Sequence, residues 1–424
     1  MKSEGLKTKH KAFDGAFSRG SSKNSKGLTF ENTLNIQLTG LDNSYQAELA
    51  DFFNQDLQKN PSEIPSASAF YQARMKMKHT AFVDLDENLI NNHYNSSTIK
   101  DWNGHRALAV DGSSLHVPDT LENVLYFGGV KAKNGDGTCP KARISFAYDP
   151  LNKLIVDAKI SPCSTGERAL AEMHLERSAP KDLFLYDRGY FSFWLLQLHE
   201  QKELSYCFRV PTKVCSVLCK DLLEGTRDQT IIDYEGSPQG KLECEKYGLP
   251  TTSIKIRLVK VVLDSGEVEV LATNLFSRDH SSLDFKELYH LRWGVEEEFK
   301  RLKCRIEIEA FSGVRTECVL QDFYADVLRL NISSLLAAKA RTLLERTGKK
   351  DKHVHAPNMS LVLSKLSLFL GTLIGGTLEK VENFLENITA LLFRFSLPIR
   401  EGRSYPQEKK PDRSGHSTAY KRST

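Results

Sequence analysis

The sequence predicts an α/β protein with a mixed sheet and flanking helices, and three observations support this fold class. Apolar runs typical of strands alternate with helical segments between residues 106 and 210. Two of these runs end in an aspartate, Asp111 and Asp187, and open α/β sheets place their functional sites at strand ends. The stretch Tyr289–Lys303 is rich in Leu, Glu, Arg and Lys and contains no Pro, which favours a helix.

Length and charge limit the class of protein. A chain of 424 residues is long enough for more than one domain. The hydrophobic content of 40% and the charged content of 26% are typical of a soluble globular protein. The net charge is only +4, but basic residues concentrate before Gly27 and after Pro398. This distribution predicts two basic arms suited to nucleic acid, and a pair of solvated tails is the alternative.

No segment has the features of a secretion signal or a membrane span. The N-terminus is polar, and Leu368–Gly376, the longest stretch nearly free of polar residues, is too short to cross a bilayer. Eight cysteines without a CxxC pair suggest a reducing cytoplasm. A zinc knuckle is the less favoured reading of the four central cysteines, because their spacing fits no established ligand pattern. They are Cys207, Cys215, Cys219 and Cys244.

Residues 1–104 are expected to be a helical N-terminal region that binds DNA and carries the first basic arm. Asn43–Phe53 and Ser66–Lys78 have helical periodicity. In the second helix, Phe70 and Met77 are predicted to pack inward while Arg74 faces outward. Such a basic face suits DNA phosphates, and a merely solvated helix face is an equally open alternative.

The stretch from residue 105 to residue 210 is predicted to form the sheet. Its strands are expected at Arg106–Val110, Ala142–Tyr148, Leu154–Ile160, Asp182–Tyr186 and Ser205–Val210, with a helix at Phe193–Gln201. The turn signal Asp149–Asn152 joins the second and third strands into a hairpin. Ser164–Glu167 has the spacing of a capping box, so Glu167 is expected to cap a helix before it is considered catalytic.

Residues 211–283 are expected to form a β-rich insertion. Within them, Ile254–Val261 and Glu267–Val270 alternate apolar and charged residues around a turn, which predicts a second hairpin with one solvated face. Further on, Leu320–Leu344 is predicted to be a long amphipathic helix. Met359–Leu397 is predicted to hold two more helices separated by Gly371–Gly376, before a polar tail expected to be disordered.

The predicted site consists of Asp111, Asp187 and Glu296, which come from two strand ends and one helix. Three carboxylates in one pocket repel each other unless a positive charge lies between them. Hard divalent cations such as Mg²⁺ or Mn²⁺ prefer oxygen ligands, and two of them can support phosphodiester chemistry without a Ser or His nucleophile. The three carboxylates therefore indicate a metal-dependent reaction on a phosphodiester.

A polar stripe runs along the predicted helix beside its apolar face. At 100° per residue it is formed by Tyr289, Arg292, Glu296 and Lys303. An ordinary surface helix with i,i+4 pairs, Glu296 with Lys300 or Glu297 with Arg301, is the alternative. A glycosidase needs two carboxylates but leaves the Tyr, Arg and Lys unexplained. These three residue types bind phosphate and suit a nucleic-acid backbone.

The spacing Tyr-x2-Arg-x3-Glu-x6-Lys of this stripe resembles the signature of bacterial insertion-sequence transposases with a DDE active site. Asp111-Gly112-Ser113 is similar to the first-aspartate segment of that family, and Asp187-Arg188-Gly189-Tyr190 is similar to the second. The resemblance implies an RNase H-like catalytic core in residues 105–210 and 284–346, interrupted by the insertion. A helical C-terminal region with a basic tail is then expected in residues 347–424.

The resemblance also implies the roles of individual residues. Asp111, Asp187 and Glu296 would be catalytic and would bind two Mg²⁺ ions, for which Mn²⁺ can substitute. The residues implied or expected to contact DNA are Tyr289, Arg292, Lys303, Arg188 and Arg74. The implied reaction is cut-and-paste transposition by a homodimer on double-stranded DNA, at the nucleoid in the bacterial cytoplasm. A catalytically silent end-binding protein and a simple metal-dependent nuclease are the alternatives.

One feature of some relatives has no obvious counterpart in this sequence. These relatives stack a base flipped out of the DNA on a Trp of the insertion, whereas Trp102, Trp194 and Trp293 all lie outside residues 211–283. Tyr234 or Tyr247 is the expected substitute, since any aromatic ring offers a face for stacking. Whether excision passes through a hairpin stays open.

Overall fold

The computed structural model describes residues 27–41, 44–54, 63–96, 99–131, 138–213, 215–304, 306–347, 353–375 and 377–399. Both predicted basic arms lie almost entirely outside these residues, as does the polar tail. The chain divides into two compact units. Unit 1 holds the described residues within Met1–Asp86, His116–Pro140 and Cys304–Thr424, and unit 2 holds those within Glu87–Leu115 and Lys141–Lys303. The boundaries of the four regions expected from the sequence stay predictions.

The described helices, in chain order, are α1 (Phe30–Thr39), α2 (Tyr45–Asn54), α3 (Ala67–Arg74), α4 (Thr80–Ser96), α5 (Leu121–Phe127), α6 (Glu167–His174), α7 (Phe193–Gln201), α8 (Ser216–Glu224), α9 (Pro238–Lys246), α10 (Ser282–His290), α11 (Trp293–Cys304), α12 (Thr316–Thr347), α13 (Met359–Gly375) and α14 (Leu378–Arg394). The described strands are β1 (Arg106–His116), β2 (Gly129–Lys131), β3 (Thr138–Asp149), β4 (Leu154–Pro162), β5 (Asp182–Tyr186), β6 (Ser205–Arg209), β7 (Gln229–Tyr234), β8 (Ile254–Val262), β9 (Val268–Thr273), β10 (Val354–Ala356) and β11 (Leu397–Ile399). No described helix is long and apolar enough to cross a membrane.

Unit 2 is built on a mixed sheet with the strand order β4-β3-β1-β5-β6-β9-β8-β7. Strand β5 pairs in parallel with β1 on one side and with β6 on the other. The pairs β3–β4, β6–β9, β9–β8 and β8–β7 are antiparallel. Strand β5 is buried along its whole length, as expected of a central parallel strand. The sheet with its flanking helices confirms the predicted α/β fold class with a mixed sheet.

The strands of residues 211–283 continue this sheet. The predicted hairpin is present as β8–β9, and β9 pairs with β6 from Cys207↔Thr273 to Arg209↔Leu271. The segment also contains α8 and α9, which the alternation of apolar and charged residues did not predict. Its apolar side chains Val259, Val261 and Leu271 belong to the same buried cluster as the core strands.

The predicted helix at Tyr289–Lys303 is two helices, so this prediction was wrong in one respect. Helix α10 begins at a capping box formed by Ser281 and Asp284 and ends at His290, and α11 starts at Trp293 after a turn. Helix α10 packs on the sheet through Phe285 and Leu288, which lie in one buried cluster with β5 and β6. The predicted apolar face of α11 is confirmed, since Val295, Phe299 and Leu302 are all buried.

Unit 1 is mainly helical, and the long α12 is its central element. The predicted helix Leu320–Leu344 is confirmed, but it is buried on several faces rather than on one. One of its buried polar residues, Asn331, donates a hydrogen bond to Asp86 of the same unit at 2.8 Å. The two helices after α12 were predicted to be separated by Gly371–Gly376, but α13 continues to Gly375 and so includes most of that stretch. Strands β10 and β11 form a small antiparallel ribbon that the sequence pattern did not indicate.

Candidate active site

Asp111 lies at the point where β1 stops pairing with β5. The parallel register runs from Arg106↔Asp182 to Val110↔Tyr186, while β1 itself continues to His116 next to β3. The prediction that the strand ends at Val110 was therefore wrong, because the next residues still have a neighbour on the β3 side. The carboxylate of Asp111 accepts the backbone N–H of Gly112 at 2.8 Å.

Asp187 follows directly after β5, as predicted, so the two aspartates leave adjacent strands at the same edge. Its side chain is 34% exposed, and Arg209 Nη1 lies 3.7 Å from its Oδ1 atom. The buried hydroxyl of Tyr289 donates to the same carboxylate oxygen at 3.4 Å. Tyr289, the penultimate residue of α10, therefore contacts the end of β5.

Arg292 lies among the three predicted catalytic carboxylates. Its Nη1 atom is 3.9 Å from Asp111 Oδ2, and its Nη2 atom is 3.1 Å from Glu296 Oε1. Burial lowers the pKa of Arg292, but the nearby Tyr289, Asp187, Asp111 and Glu296 outweigh burial and raise it. The side chain is 5% exposed, and its Nε atom makes no hydrogen bond among the described residues. The Arg292 guanidinium thus pairs with Glu296 and lies near Asp111, and the charge of Asp187 also raises its pKa.

The electrostatics of Asp111 reflect its partial burial. Burial raises the pKa of Asp111 to about 6, and the neighbouring Glu296 and Glu167 act in the same direction. The Gly112 N–H and the Arg292 guanidinium oppose this shift but do not cancel it. An additional positive charge near a carboxylate with a raised pKa stabilises its charged form.

Of three consecutive glutamates on α11, only Glu296 faces this site. Glu297 is exposed, and Glu298 is 1% exposed and bonded to Arg301 Nη1 at 2.8 Å. Arg301 therefore pairs at i,i+3 with Glu298 and not at i,i+4 with Glu297. Burial raises the pKa of Glu298, although Arg301 opposes the shift. Helix geometry thus places one glutamate on the site, one in water and one in the core.

No three Asp, Glu, His or Cys side chains of the described residues are arranged to hold a metal ion. Asp111, Asp187 and Glu296 share Arg292 as a common neighbour. Their oxygen atoms are the donor type that Mg²⁺ and Mn²⁺ prefer, and the guanidinium supplies positive charge where a cation would supply it.

The remaining predicted DNA contacts in unit 2 border this site. Lys303 Nζ donates to Ser113 Oγ and to the Ser114 carbonyl, both at 2.7 Å, so it lies beside the second half of β1. Arg188 is exposed next to Asp187 and has no hydrogen-bond or ion-pair partner among the described residues. An exposed and unpaired guanidinium at this edge is available to a phosphate.

Arg74 was wrongly predicted to face outward. It is fully buried in unit 1, where its five N–H donors are all bonded. The acceptors are Gln321 Oε1, Tyr45 Oη, Ser312 Oγ, the Cys318 carbonyl and Asp322 Oδ1. A guanidinium with no donor left cannot bind a phosphate, so in this structure Arg74 is a core residue. Phe70 and Met77 are buried, as predicted.

Glu167 is a fourth carboxylate at the border of the site. Gly166 is the N-cap of α6 and no side chain caps it, so the predicted capping box is absent. Glu167 instead pairs with Arg143 Nη1 at 3.0 Å. It also lies close to Gly112, the residue after Asp111, since a Cβ atom added to Gly112 would be 3.5 Å from the Glu167 Cγ atom. The next residue, Arg168, donates to the Gly189 carbonyl at 2.9 Å and so contacts the loop after Asp187.

The aromatic residues considered for base stacking are already in contact with other rings. Tyr247 stacks on Trp194 with ring centroids 4.5 Å apart, and Tyr234 packs against Phe191 and Phe193. Trp293, at the start of α11, is 51% exposed, and the Arg292 guanidinium lies 5.1 Å above its ring. The role of Tyr234 or Tyr247 in base stacking stays a prediction.

Comparisons with known proteins identify one family and two similar proteins. A family described as the transposase DDE domain matches residues 102–318, a range that contains Asp111, Asp187 and Glu296. The chain is 21% identical over 358 residues to the transposase InsG for insertion sequence element IS4 of Escherichia coli K12, covering 84% of this chain and 79% of that protein. A solved structure, the cryo-EM structure of the piggyBac transposase synaptic complex with hairpin DNA, is 11% identical with a TM-score of 0.42, covering 87% of this chain and 79% of that one.

Proposed function

Because the chain belongs to the family of transposases with a DDE domain, we propose that Asp111, Asp187 and Glu296 catalyse the cutting and joining of DNA strands that move an insertion sequence. The single observation that supports this assignment best is the position of Arg292, which lies 3.9 Å from Asp111 and 3.1 Å from Glu296 and whose pKa is also raised by the charge of Asp187. They come from positions far apart in the sequence, and the two other glutamates beside Glu296 have different environments.

In this proposal the three carboxylates hold divalent cations, two Mg²⁺ ions or Mn²⁺ in their place. Such cations, when bound, polarise the scissile phosphate and promote ionisation of the attacking water or 3′-hydroxyl. Burial raises the pKa of Asp111, so a cation bound beside this carboxylate would stabilise its charged form.

Arg292 changes partners in this scheme, since it neutralises the carboxylates in the structure and would bind a backbone phosphate when the site is loaded. Its hydrogen bonding is incomplete, in contrast to the five satisfied donors of Arg74. The exposed Arg188 would bind a second phosphate, and Lys303 of α11 and Tyr289 of α10 would hold the end of the DNA strand in place. Guanidinium groups suit this exchange because they match carboxylate and phosphate equally well.

The substrate in this proposal is double-stranded DNA that carries the ends of the element, together with target DNA. A homodimer is expected to hold two ends together, and activity on chromosomal DNA would place it at the bacterial nucleoid. The four regions of the chain expected from its sequence, including a catalytic core split by residues 211–283, belong to the same proposal.

The test is a strand-transfer assay with DNA that carries the inverted repeats flanking the gene, in Mg²⁺. We expect Glu296→Gln to lower the rate by at least about 10²-fold, because one site carboxylate is neutralised. Glu297→Gln, an identical change at the exposed neighbour, is the matched control and should leave the rate unchanged. Equal activity of Glu296→Gln and wild type would remove Glu296 from the mechanism.

Two alternatives give different products in the same assay. A silent end-binding protein would bind the repeats without producing nicks, in wild type as well as in Glu296→Gln. A simple nuclease would produce cut ends but no joined molecules. Only a transposase yields joined products that disappear in the Glu296→Gln variant.

A further inference from the structure

A buried chain of hydrogen bonds leads from Asp157 to the backbone of Asp111. His174 Nδ1 lies 2.6 Å from Asp157 Oδ2, and His174 Nε2 lies 2.9 Å from Ser145 Oγ. The Ser145 hydroxyl in turn donates to the Asp111 carbonyl at 3.0 Å. Ser145, Asp157 and His174 are each at most 2% exposed. A buried hydrogen-bonded network of this kind is expected to have a structural or functional role, because burying any of its members without a partner would cost free energy.

The same three residue types form the nucleophilic triad of many hydrolases, but the geometry here excludes that role. Ser145 is completely buried, so no substrate reaches its oxygen atom. Its one hydroxyl hydrogen is also committed, because a carbonyl oxygen can only accept and therefore takes the hydrogen from Ser145.

The polarity of the chain fixes the protons on His174. Since Ser145 donates to Asp111, its oxygen must accept from an N–H at His174 Nε2. At the other end, burial raises the pKa of Asp157, but His174, Lys159 and Arg177 outweigh it and hold that pKa below its ordinary value. Lys159 Nζ and Arg177 Nη1 lie 3.0 and 3.4 Å from this carboxylate, which therefore accepts from His174 Nδ1. The two hydrogen-bond directions thus assign a hydrogen to each ring nitrogen of His174.

We propose that the Asp157–His174–Ser145 chain positions the catalytic carboxylate of Asp111. Pairing between β1 and β5 ends at Val110, one residue before Asp111. The Asp111 backbone therefore has no strand partner on the β5 side. Ser145 fixes its carbonyl, and the Gly112 N–H fixes its carboxylate. Together these bonds restrain the peptide plane and the direction of the side chain. The inference rests on the proposed catalytic role of Asp111, and the three residues are positioning residues that touch no substrate.

The first experiment compares Ser145→Ala with the matched control Thr273→Val. Thr273 is also fully buried, and its hydroxyl also donates to a strand carbonyl, that of Tyr206, in the same sheet. Each variant therefore loses two hydrogen bonds of a buried hydroxyl, one of them to a strand carbonyl, but only Ser145→Ala frees Asp111. Thermal unfolding is measured for both, so that a general loss of stability is recorded separately.

For Ser145→Ala we expect kcat for cleavage to fall about 10- to 100-fold, with the affinity for DNA ends unchanged. Mn²⁺ binding, followed by electron paramagnetic resonance without DNA, should weaken by a similar factor. Hydrogen–deuterium exchange should become faster in a peptide covering residues 107–116 and stay unchanged there in Thr273→Val. Wild-type kcat and Mn²⁺ binding in Ser145→Ala, or equal losses in both variants, would overturn the proposal.

A second measurement uses the wild-type protein and so does not depend on how a variant folds. In spectra of protein labelled with ¹⁵N-histidine, both ring nitrogens of His174 should show attached hydrogen at neutral pH, with the signal assigned through its loss in His174→Gln. A ring nitrogen without hydrogen would refute the polarity described above. Asp111→Asn is assayed in parallel. If it cleaves normally, the catalytic assignment fails, while the exchange and nitrogen data still report on the hydrogen-bonded chain itself.

Discussion

Replacing Asp111 by Asn should stabilise the metal-free protein at neutral pH while it abolishes activity. Burial holds the pKa of Asp111 at about 6, against an ordinary value of 3.8. The folded state therefore binds the proton more tightly than the unfolded state does, and the free energy of unfolding falls as the pH rises from about 4 to about 6. At 1.36 kcal/mol per pH unit, a difference of about two units corresponds to about 3 kcal/mol. Asparagine has the shape of the protonated form and carries no charge to desolvate.

The assay is chemical denaturation in EDTA at several pH values between 3.5 and 8. The variant and the wild type should be equally stable below about pH 4, because Asp111 is then protonated in both states of the wild type. Above about pH 6 the free energy of unfolding of the variant should exceed that of the wild type by roughly 3 kcal/mol. This difference is smaller if water enters the site and solvates the Asp111 carboxylate. Mg²⁺ should reduce the gap by stabilising only the wild type.

The control is Glu297→Gln, which neutralises an exposed carboxylate on α11 and should change the stability little at any pH. If Asp111→Asn and the wild type unfold at equal denaturant concentrations throughout the pH range, burial does not penalise the charge of Asp111. The site would then have no electrostatic need of an added cation.

Three further predictions concern single residues. Arg74→Met should destabilise unit 1 by about 3 to 5 kcal/mol in denaturant titrations, because Asp322 loses its buried partner, and should leave DNA affinity at permissive temperature unchanged. Arg188→Ala should weaken binding to element ends and reduce the salt dependence of that binding by about one ion in filter-binding titrations, without a change in stability. Leu302→Ala should cost about 2 to 5 kcal/mol in the same denaturation assay, because a fully buried side chain on α11 is truncated.

The sequence by itself determined the local elements of the sheet and the residues of the candidate site. Strands such as β5 and the β8–β9 hairpin follow from apolar runs bounded by turn residues, which are local signals. The acidic residues were recognisable because each stands at a fixed place relative to such a signal, Asp187 directly after β5 and Glu296 on an amphipathic helix. The family match over residues 102–318 covers both of these residues, and their catalytic role stays a proposal.

Only the tertiary structure decided which polar side chains are buried and what they bind. Arg74 reads as a surface residue on its own helix, but its partners Gln321 and Asp322 lie nearly 250 positions away. The helix break before Trp293 and the link from His174 to Asp111 through Ser145 are equally invisible in local pattern. The physical reason is that periodicity reports which face of an element is apolar. The partner of a buried charge or hydroxyl is set instead by which distant elements pack against it.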